Sequence, residues 1–208
     1  MSTDSFHDDD GPANIRNRTA RQLARWCEGR NAFIRIPFLA GFLYIFSHLI
    51  KDPAYQSIFG GLNLGIHELG HMVFSFMGEF IGIAGGTILQ LAAPVYGMYN
   101  FYRQDDYFAL VLCLGWLSTN FYNVAVYAAD ARAMELPLVS PFGGGHVYHD
   151  WNYLLATTGR LSWAEGIGGG FRFLGFLSMC ATLAVGSWMV WQMIKGSKGR
   201  PTRRDDKI

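Results

Sequence analysis

Long apolar runs separated by short polar turns constrain the fold of this chain most. Five such runs cover residues 32–50, 57–77, 80–102, 107–129 and 171–194. Each is close to the length that an α-helix needs to cross the hydrocarbon core of a bilayer. Backbone polar groups in lipid must be paired within helices or closed barrels. The pattern therefore predicts an all-α, polytopic integral membrane helix bundle with about five (four to six) transmembrane segments.

Charge is concentrated at the two ends of the chain, outside the apolar runs. Basic residues before the first run and after the last suit anionic lipid headgroups better than nucleic acid, so membrane lipids are the expected partner. We expect a cytoplasmic polar tail with an Arg-rich interfacial helix in 1–31, a membrane domain in 32–195 and a basic tail in 196–208. The basic residues concerned are Arg16, Arg18, Arg21, Arg25, Arg30, Lys195, Lys198, Arg200, Arg203 and Arg204.

The two basic ends conflict with an odd number of crossings. Positive charge favours the cytoplasm at both ends, which requires an even number, whereas five runs are present. Either residues 151–170 form a partial re-entrant crossing, or the C-terminal tail lies outside. We expect a cytoplasmic N-terminus, because the first helix usually sets the orientation.

The second run contains the pentad His67-Glu68-Leu69-Gly70-His71. Residues four apart share a helix face, so His67 and His71 can offer two imidazole nitrogens to one Zn²⁺ ion. Glu68, beside the first of them, is placed to take a proton from a water molecule at that ion. The alternative is a pair of histidines hydrogen-bonded within a core. Ionisable side chains in an apolar membrane segment are costly, which favours the metal site.

Two polar stripes suggest how this site is completed. Residues at steps of three and four lie on one helix face, so stripes on the second and fourth runs are expected to meet inside the membrane domain. Asp130, at the end of the second stripe, is our first choice for the third zinc ligand; the alternative is an interfacial charge paired with Arg132. The stripes are Asn63, His67, His71 and Ser75, and Trp116, Asn120, Asn123, Tyr127 and Asp130.

A glycine-led loop offers rival ligands. Three glycines, at 143–145, precede His146, His149 and Asp150. His149 or Asp150 is therefore an alternative third ligand, or a partner that fixes an imidazole tautomer. Asp150 is equally suited to cap a helix over 151–158.

The third run is interrupted by small residues and a proline. Residues 85–87 and Pro94 predict breaks in this segment. Gln90 lies between these breaks. It is expected either to contact the site or substrate, or to bond to a neighbouring helix.

The pentad on a membrane helix and the segment ending at Asp130 resemble the site-2-protease family of intramembrane zinc metalloproteases, and more closely the small bacterial membrane proteins grouped with it. The resemblance covers about residues 57–151, roughly half of the chain. It implies that His67, His71 and Asp130 bind zinc and that Glu68 is the general base. It also implies a bacterial inner (cytoplasmic) membrane protein that cuts a membrane-embedded peptide bond near the cytoplasmic face.

These features support hypotheses from different classes. The first is a zinc-dependent intramembrane endopeptidase acting on a transmembrane protein substrate. The second is a catalytically silent accessory or scaffold subunit of a larger membrane protein complex. The short chain favours the second, as does Ala131 after Asp130, where the family usually has glycine. Bis-histidine haem ligation through His48 or His71 is disfavoured, because Glu68 is an awkward neighbour for haem.

Overall fold

The computed structural model describes residues 12–136 and 149–198, and every element in this part of the chain is helical. The predicted all-α class is therefore confirmed. Expectations for residues 1–11, for the loop containing His146 and for the basic tail beyond Lys198 lie outside the described residues. The helices are α1 (Pro12–Cys27), α2 (Ile36–Lys51), α3 (Gly60–Phe74), α4 (Glu79–Arg103), α5 (Tyr107–Ala129), α6 (Asp150–Thr157) and α7 (Ala164–Lys198), with 3₁₀ turns at Ser75–Met77 and Leu161–Trp163.

Within the described ranges, three helical segments are long and apolar enough to cross a membrane. They are Glu79–Arg103, Tyr107–Ala129 and Leu161–Gly196. Helices α2 and α3 have 16 and 15 residues. At about 1.5 Å per residue they extend about 24 and 23 Å, short of a hydrocarbon core of about 30 Å. The structure therefore indicates a membrane protein with three helices of spanning length, and the predicted count of five is not confirmed.

Helix α4 does not break where the sequence predicts. Gly85, Gly86 and Pro94 all lie inside one continuous helix of 25 residues. The glycines instead allow α4 to approach α3, because a Cβ atom at Gly70 would overlap the backbone of Gly85 and Gly86. Small residues at helix interfaces permit this kind of backbone contact. The close approach brings α4 directly against the pentad.

The two polar stripes do meet. The Trp116 side chain donates from Nε1 to Asn63 Oδ1 at 2.8 Å, and Asn63 Nδ2 donates to Asn123 Oδ1 at 2.6 Å. Asn63 is 1% exposed. Its amide is one helical turn before His67 on α3, so the network lies beside the pentad. A buried amide without a hydrogen-bond partner is costly. These bonds therefore fix which face of α3 packs against α5.

The chain comprises two compact units. Residues 38–186 form the larger unit, which contains every candidate site residue of the described chain. Its core includes a cluster contributed by α2, α5 and α7, and burial of such side chains from water or lipid fixes these helices through close packing. The buried members of this cluster are Phe42, Ile45, Leu49, Tyr122 and Met179.

The second unit contains residues up to Pro37 and from Ser187 onward. Helix α1 forms within the segment predicted as an Arg-rich helix. The Arg30 guanidinium lies 3.9 Å from the centre of the Trp26 ring, and Cys27 is fully buried. Near the other end of this unit, Lys195 lies over the ring of Trp191 at 3.4 Å. These cation–π contacts cover aromatic surface with basic side chains.

Candidate metal centre

The two pentad histidines converge on one carboxylate oxygen. His67 Nε2 lies 2.8 Å from Asp150 Oδ2, and His71 Nε2 lies 3.2 Å from the same oxygen. The rings are nearly perpendicular, with centres 4.8 Å apart. His67 and Asp150 are each 7% exposed. One turn of α3 and the first residue of α6 thus bring together two imidazoles and one carboxylate, of which the His71 side chain is 26% exposed.

The other nitrogen of each ring is bound to α4. His71 Nδ1 lies 2.9 Å from the carbonyl oxygen of Gly82, and His67 Nδ1 lies 3.0 Å from Gln90 Oε1. A carbonyl oxygen only accepts, so His71 Nδ1 must donate, and the Gln90 oxygen assigns the same tautomer to His67. In the neutral form of each ring, Nε2 therefore carries the lone pair. Metal-binding histidines are held by outer partners of this kind.

This arrangement requires a positive charge at its centre. Two Nε2 lone pairs and a carboxylate oxygen would otherwise face one another as acceptors, and either a shared proton or a metal ion removes that conflict. Tetrahedral zinc ligands at about 2.0–2.1 Å from the ion are about 3.3 Å from each other. The observed 2.8 and 3.2 Å separations need only a small expansion to reach that value.

The surroundings of Asp150 favour its ionised form. Burial by itself raises the pKa of the Asp150 carboxyl, but hydrogen bonds with His67 and His71, together with their charge, outweigh burial and hold the pKa below its ordinary value. The side chain is therefore ionised near neutral pH. An ionised carboxylate is the form that binds a divalent cation.

Glu68 lies close enough to act at the same centre. One nitrogen from each histidine and a Glu68 carboxylate oxygen lie within 4.8 Å of one another, so these three groups could together hold a metal ion. Asp150 Oδ2 lies closer than 4.8 Å to Nε2 of both His67 and His71. Glu68 is half-buried. This placement leaves it free to accept a proton from a molecule bound at the cluster.

Gly86 keeps side-chain atoms away from the cluster. A Cβ atom at this position would lie 2.7 Å from Nε2 of both His67 and His71. Carbon atoms in contact normally stay about 3.5–4.0 Å from their neighbours. Glycine at 86 therefore preserves the space in front of the two nitrogens.

Of the two aspartates predicted as a third ligand, Asp150 is the one that the structure places in contact with the pentad histidines. Asp150, the predicted alternate, contacts both histidines of the pentad. Asp130, predicted first as third ligand, instead accepts from His149 Nε2 at 3.2 Å and from the backbone N–H groups of Glu135 and Leu136 at 3.0 and 3.1 Å. The capping role considered for Asp150 is wrong. The N-cap of α6 is His149, whose Nδ1 accepts from a backbone N–H.

Some contributors to the cluster were not predicted. The Gly82 carbonyl has no side-chain signal, and Gly86 belongs to a glycine pair that suggested a helix break. Gln90 is predicted from the sequence either to contact the site or substrate, or to bond to a neighbouring helix. Its bond to His67 does both, because His67 is a site residue on the neighbouring helix α3. Tyr127, a member of the polar stripe, accepts from the Asp150 N–H at 3.1 Å. Only its spacing along α5 indicated that it faces the site.

Comparison of the chain with protein-family models, with curated proteins and with solved structures found no match.

Proposed function

We propose that this protein is a zinc-dependent intramembrane endopeptidase related to the site-2-protease family. The observation that carries the proposal is the convergence of His67 Nε2, His71 Nε2 and Asp150 Oδ2, with Glu68 beside them. Two histidines and one carboxylate, with a further acid as base, are the donor set of zinc peptidases. Zinc is preferred because its borderline-soft character suits imidazole and carboxylate ligands together.

The chemistry follows from the residues around this cluster. Zinc, when bound, polarises a peptide carbonyl and makes a water molecule more acidic. Glu68 takes a proton from the attacking water and delivers it to the leaving amine nitrogen. Gln90 and the Gly82 carbonyl hold the imidazoles in the tautomer that presents Nε2. Gly86 leaves space for the reacting groups in front of these nitrogens.

The substrate that fits this location is a transmembrane segment of another protein. Three helices of spanning length support a site within or at the border of the membrane. A substrate helix must unwind locally to expose a peptide bond, and its freed backbone groups need protein or water partners at that depth. We place the N-terminus on the cytoplasmic side of the bacterial inner membrane, because the basic segment before α2 favours that orientation.

Metal content and cleavage test the proposal together. Purified protein reconstituted in liposomes is expected to hold about one zinc ion per chain, to cleave a co-reconstituted model transmembrane substrate, and to lose cleavage on chelation and regain it with zinc. His71→Ala is expected to weaken zinc binding by more than about 100-fold, since even outer partners of metal-bound histidines contribute about 10–100-fold. Metal analysis, a competition titration with a zinc indicator and product mass spectrometry provide the measurements.

A second histidine supplies the matched control. His48 lies on α2 and its Nδ1 bonds to the Tyr44 carbonyl at 2.9 Å, so its hydrogen bond is made within its own helix and not with the metal centre. His48→Gln should retain zinc and cleavage. A wild-type protein that binds no zinc and co-purifies in fixed ratio with a large membrane assembly would contradict the peptidase proposal and support the accessory-subunit hypothesis.

Gln90 provides a finer test of the imidazole support. Gln90→Met keeps a similar volume but removes the acceptor for His67 Nδ1–H, so zinc affinity should fall by about 10–100-fold. Gln90→Glu keeps an acceptor oxygen and should bind zinc at least as tightly as wild type. Equal affinity in the Met and Glu variants would show that the 3.0 Å bond does not support the site.

A further inference from the structure

Three hydrogen bonds join the end of α5 to the start of α6. Each connects a residue in the last turn of α5, or just after it, to the N-cap residue or the first turn of α6. They run from Asp150 N–H to the Tyr127 hydroxyl at 3.1 Å, from His149 Nε2 to Asp130 Oδ2 at 3.2 Å, and from Asn152 Nδ2 to the Ala131 carbonyl at 2.7 Å. We call these six residues the α5–α6 clamp.

The bonds of Asp130 are directed to the clamp and to its own turn. Its Oδ1 accepts from Glu135 N–H at 3.0 Å, and its Oδ2 accepts from Leu136 N–H at 3.1 Å as well as from His149. Both carboxylate oxygens are therefore engaged by donors. A carboxylate satisfied in this way is a poor candidate for a zinc ligand and a good one for an anchor.

His149 connects this anchor to α6. Its Nδ1 accepts from Asn152 N–H at 3.2 Å, so Nε2 carries the proton that is donated to Asp130. Its ring packs against Tyr127 with centres 4.4 Å apart, and the side chain is 1% exposed. The imidazole is thus fixed by a donor, an acceptor and a ring contact at once.

We propose that Asp130 and His149 are positioning residues that hold Asp150 against the pentad, and that neither is a metal ligand. This inference rests on the proposed function, because it concerns the metal centre of that site. Helix α6 has eight residues, too few to be stable alone. Its first residue must nevertheless keep one oxygen near two imidazole nitrogens. The clamp supplies that constraint from the end of α5.

Cobalt(II) binding to the full-length protein in detergent tests this assignment, because the visible spectrum of cobalt reports the identity and geometry of its ligands. Asp130→Asn should bind cobalt about 10–100-fold more weakly than wild type, as expected for an outer partner of a metal site. At saturation its spectrum should match that of wild type. Asp150→Asn should instead change the saturated spectrum, because a ligand is altered.

Substitutions of His149 separate the link to Asp130 from the cap on α6. His149→Asn keeps an acceptor suited to an N-cap but is too short to reach Asp130, so it should weaken cobalt binding about as much as Asp130→Asn. His149→Gln carries an amide donor near the position of Nε2 and should restore part of the affinity. Because the two groups act through one bond, the Asp130→Asn/His149→Asn double variant should lose little more than either single variant.

The possible results have distinct meanings. If Asp130→Asn alters the saturated cobalt spectrum as Asp150→Asn does, Asp130 is a ligand and the proposal is wrong. Wild-type affinity in both Asp130→Asn and His149→Asn would also overturn it, while leaving the proposed peptidase function intact. A wild-type protein that binds neither cobalt nor zinc would remove the metal centre itself and both proposals with it.

Discussion

A Glu68→Gln protein is expected to cleave a model transmembrane substrate about 10²–10⁴-fold more slowly than wild type while retaining its zinc. Glutamine has the size of glutamate but cannot accept the proton that the attacking water must lose. The two histidines and Asp150 are unchanged, so the zinc ligands remain, with Nε2 of His67 and His71 at 2.8 and 3.2 Å from Asp150 Oδ2. The measurement is the initial cleavage rate in liposomes, with zinc content determined on the same samples.

The control for this variant is another glutamate of the same unit. Glu79 begins α4, where it is exposed. Glu79→Gln makes the same chemical change away from the cluster and should leave the rate unchanged. Cleavage by zinc-loaded Glu68→Gln at the wild-type rate would exclude Glu68 as the base. Loss of zinc from this variant would instead assign Glu68 to the coordination of the ion, within the 4.8 Å group that it forms with the histidines.

The sequence predicts the helical part of the site well, because helix periodicity is regular. A spacing of four places His67 and His71 on one face, and the same rule places Asn63 and Asn123 on stripes that meet at 2.6 Å. The shared face of the two histidines follows from the helical repeat. The meeting of the two stripes follows because both polar faces must avoid lipid. Both follow from local geometry and burial, so a single sequence contains them.

The choice between Asp130 and Asp150 does not follow from periodicity. Asp130 follows the last residue of α5 and Asp150 is the first residue of α6, so no single helix relates the two acids. The position of Asp150 depends on the clamp rather than on a helical repeat. Aspartate is also a preferred N-cap, so the sequence supports a local role for Asp150 as well as it supports a ligand role. In the structure His149 caps the helix, and the carboxylate of Asp150 is bound by two imidazoles instead.

The lengths of the helices show a similar limit. The apolar run at 57–77 contains a helix only from Gly60 to Phe74, followed by a 3₁₀ turn. Hydrophobicity reports the surroundings of a segment but not where its hydrogen-bond ladder begins and ends. Conversely, Gly85, Gly86 and Pro94 suggested breaks in α4, although the helix passes through all three. Packing against α3 overrides the weak helix propensity of glycine there.

Gly86→Ala is expected to reduce zinc affinity by about 100-fold without unfolding the protein. Overpacking by one methyl group costs about 1–3 kcal/mol, and about 1.4 kcal/mol corresponds to a factor of ten in an equilibrium constant. The added Cβ would lie 2.7 Å from Nε2 of both His67 and His71. We expect the upper end of this range, because the methyl group occupies the space in front of both nitrogens. A zinc-indicator titration measures the change.

Gly65→Ala distinguishes this local effect from a general effect of alanine. Among the described residues, a Cβ atom at Gly65 meets no heavy atom within 4 Å. Both substitutions lie inside helices, where alanine is favoured over glycine by about 1 kcal/mol, so neither should weaken its own helix. Gly65→Ala should therefore keep wild-type zinc affinity, and thermal unfolding should show that both variants remain folded. Wild-type zinc affinity in folded Gly86→Ala would mean that the ion does not bind between these nitrogens, because a methyl group 2.7 Å from both of them must displace the nitrogens or the ion.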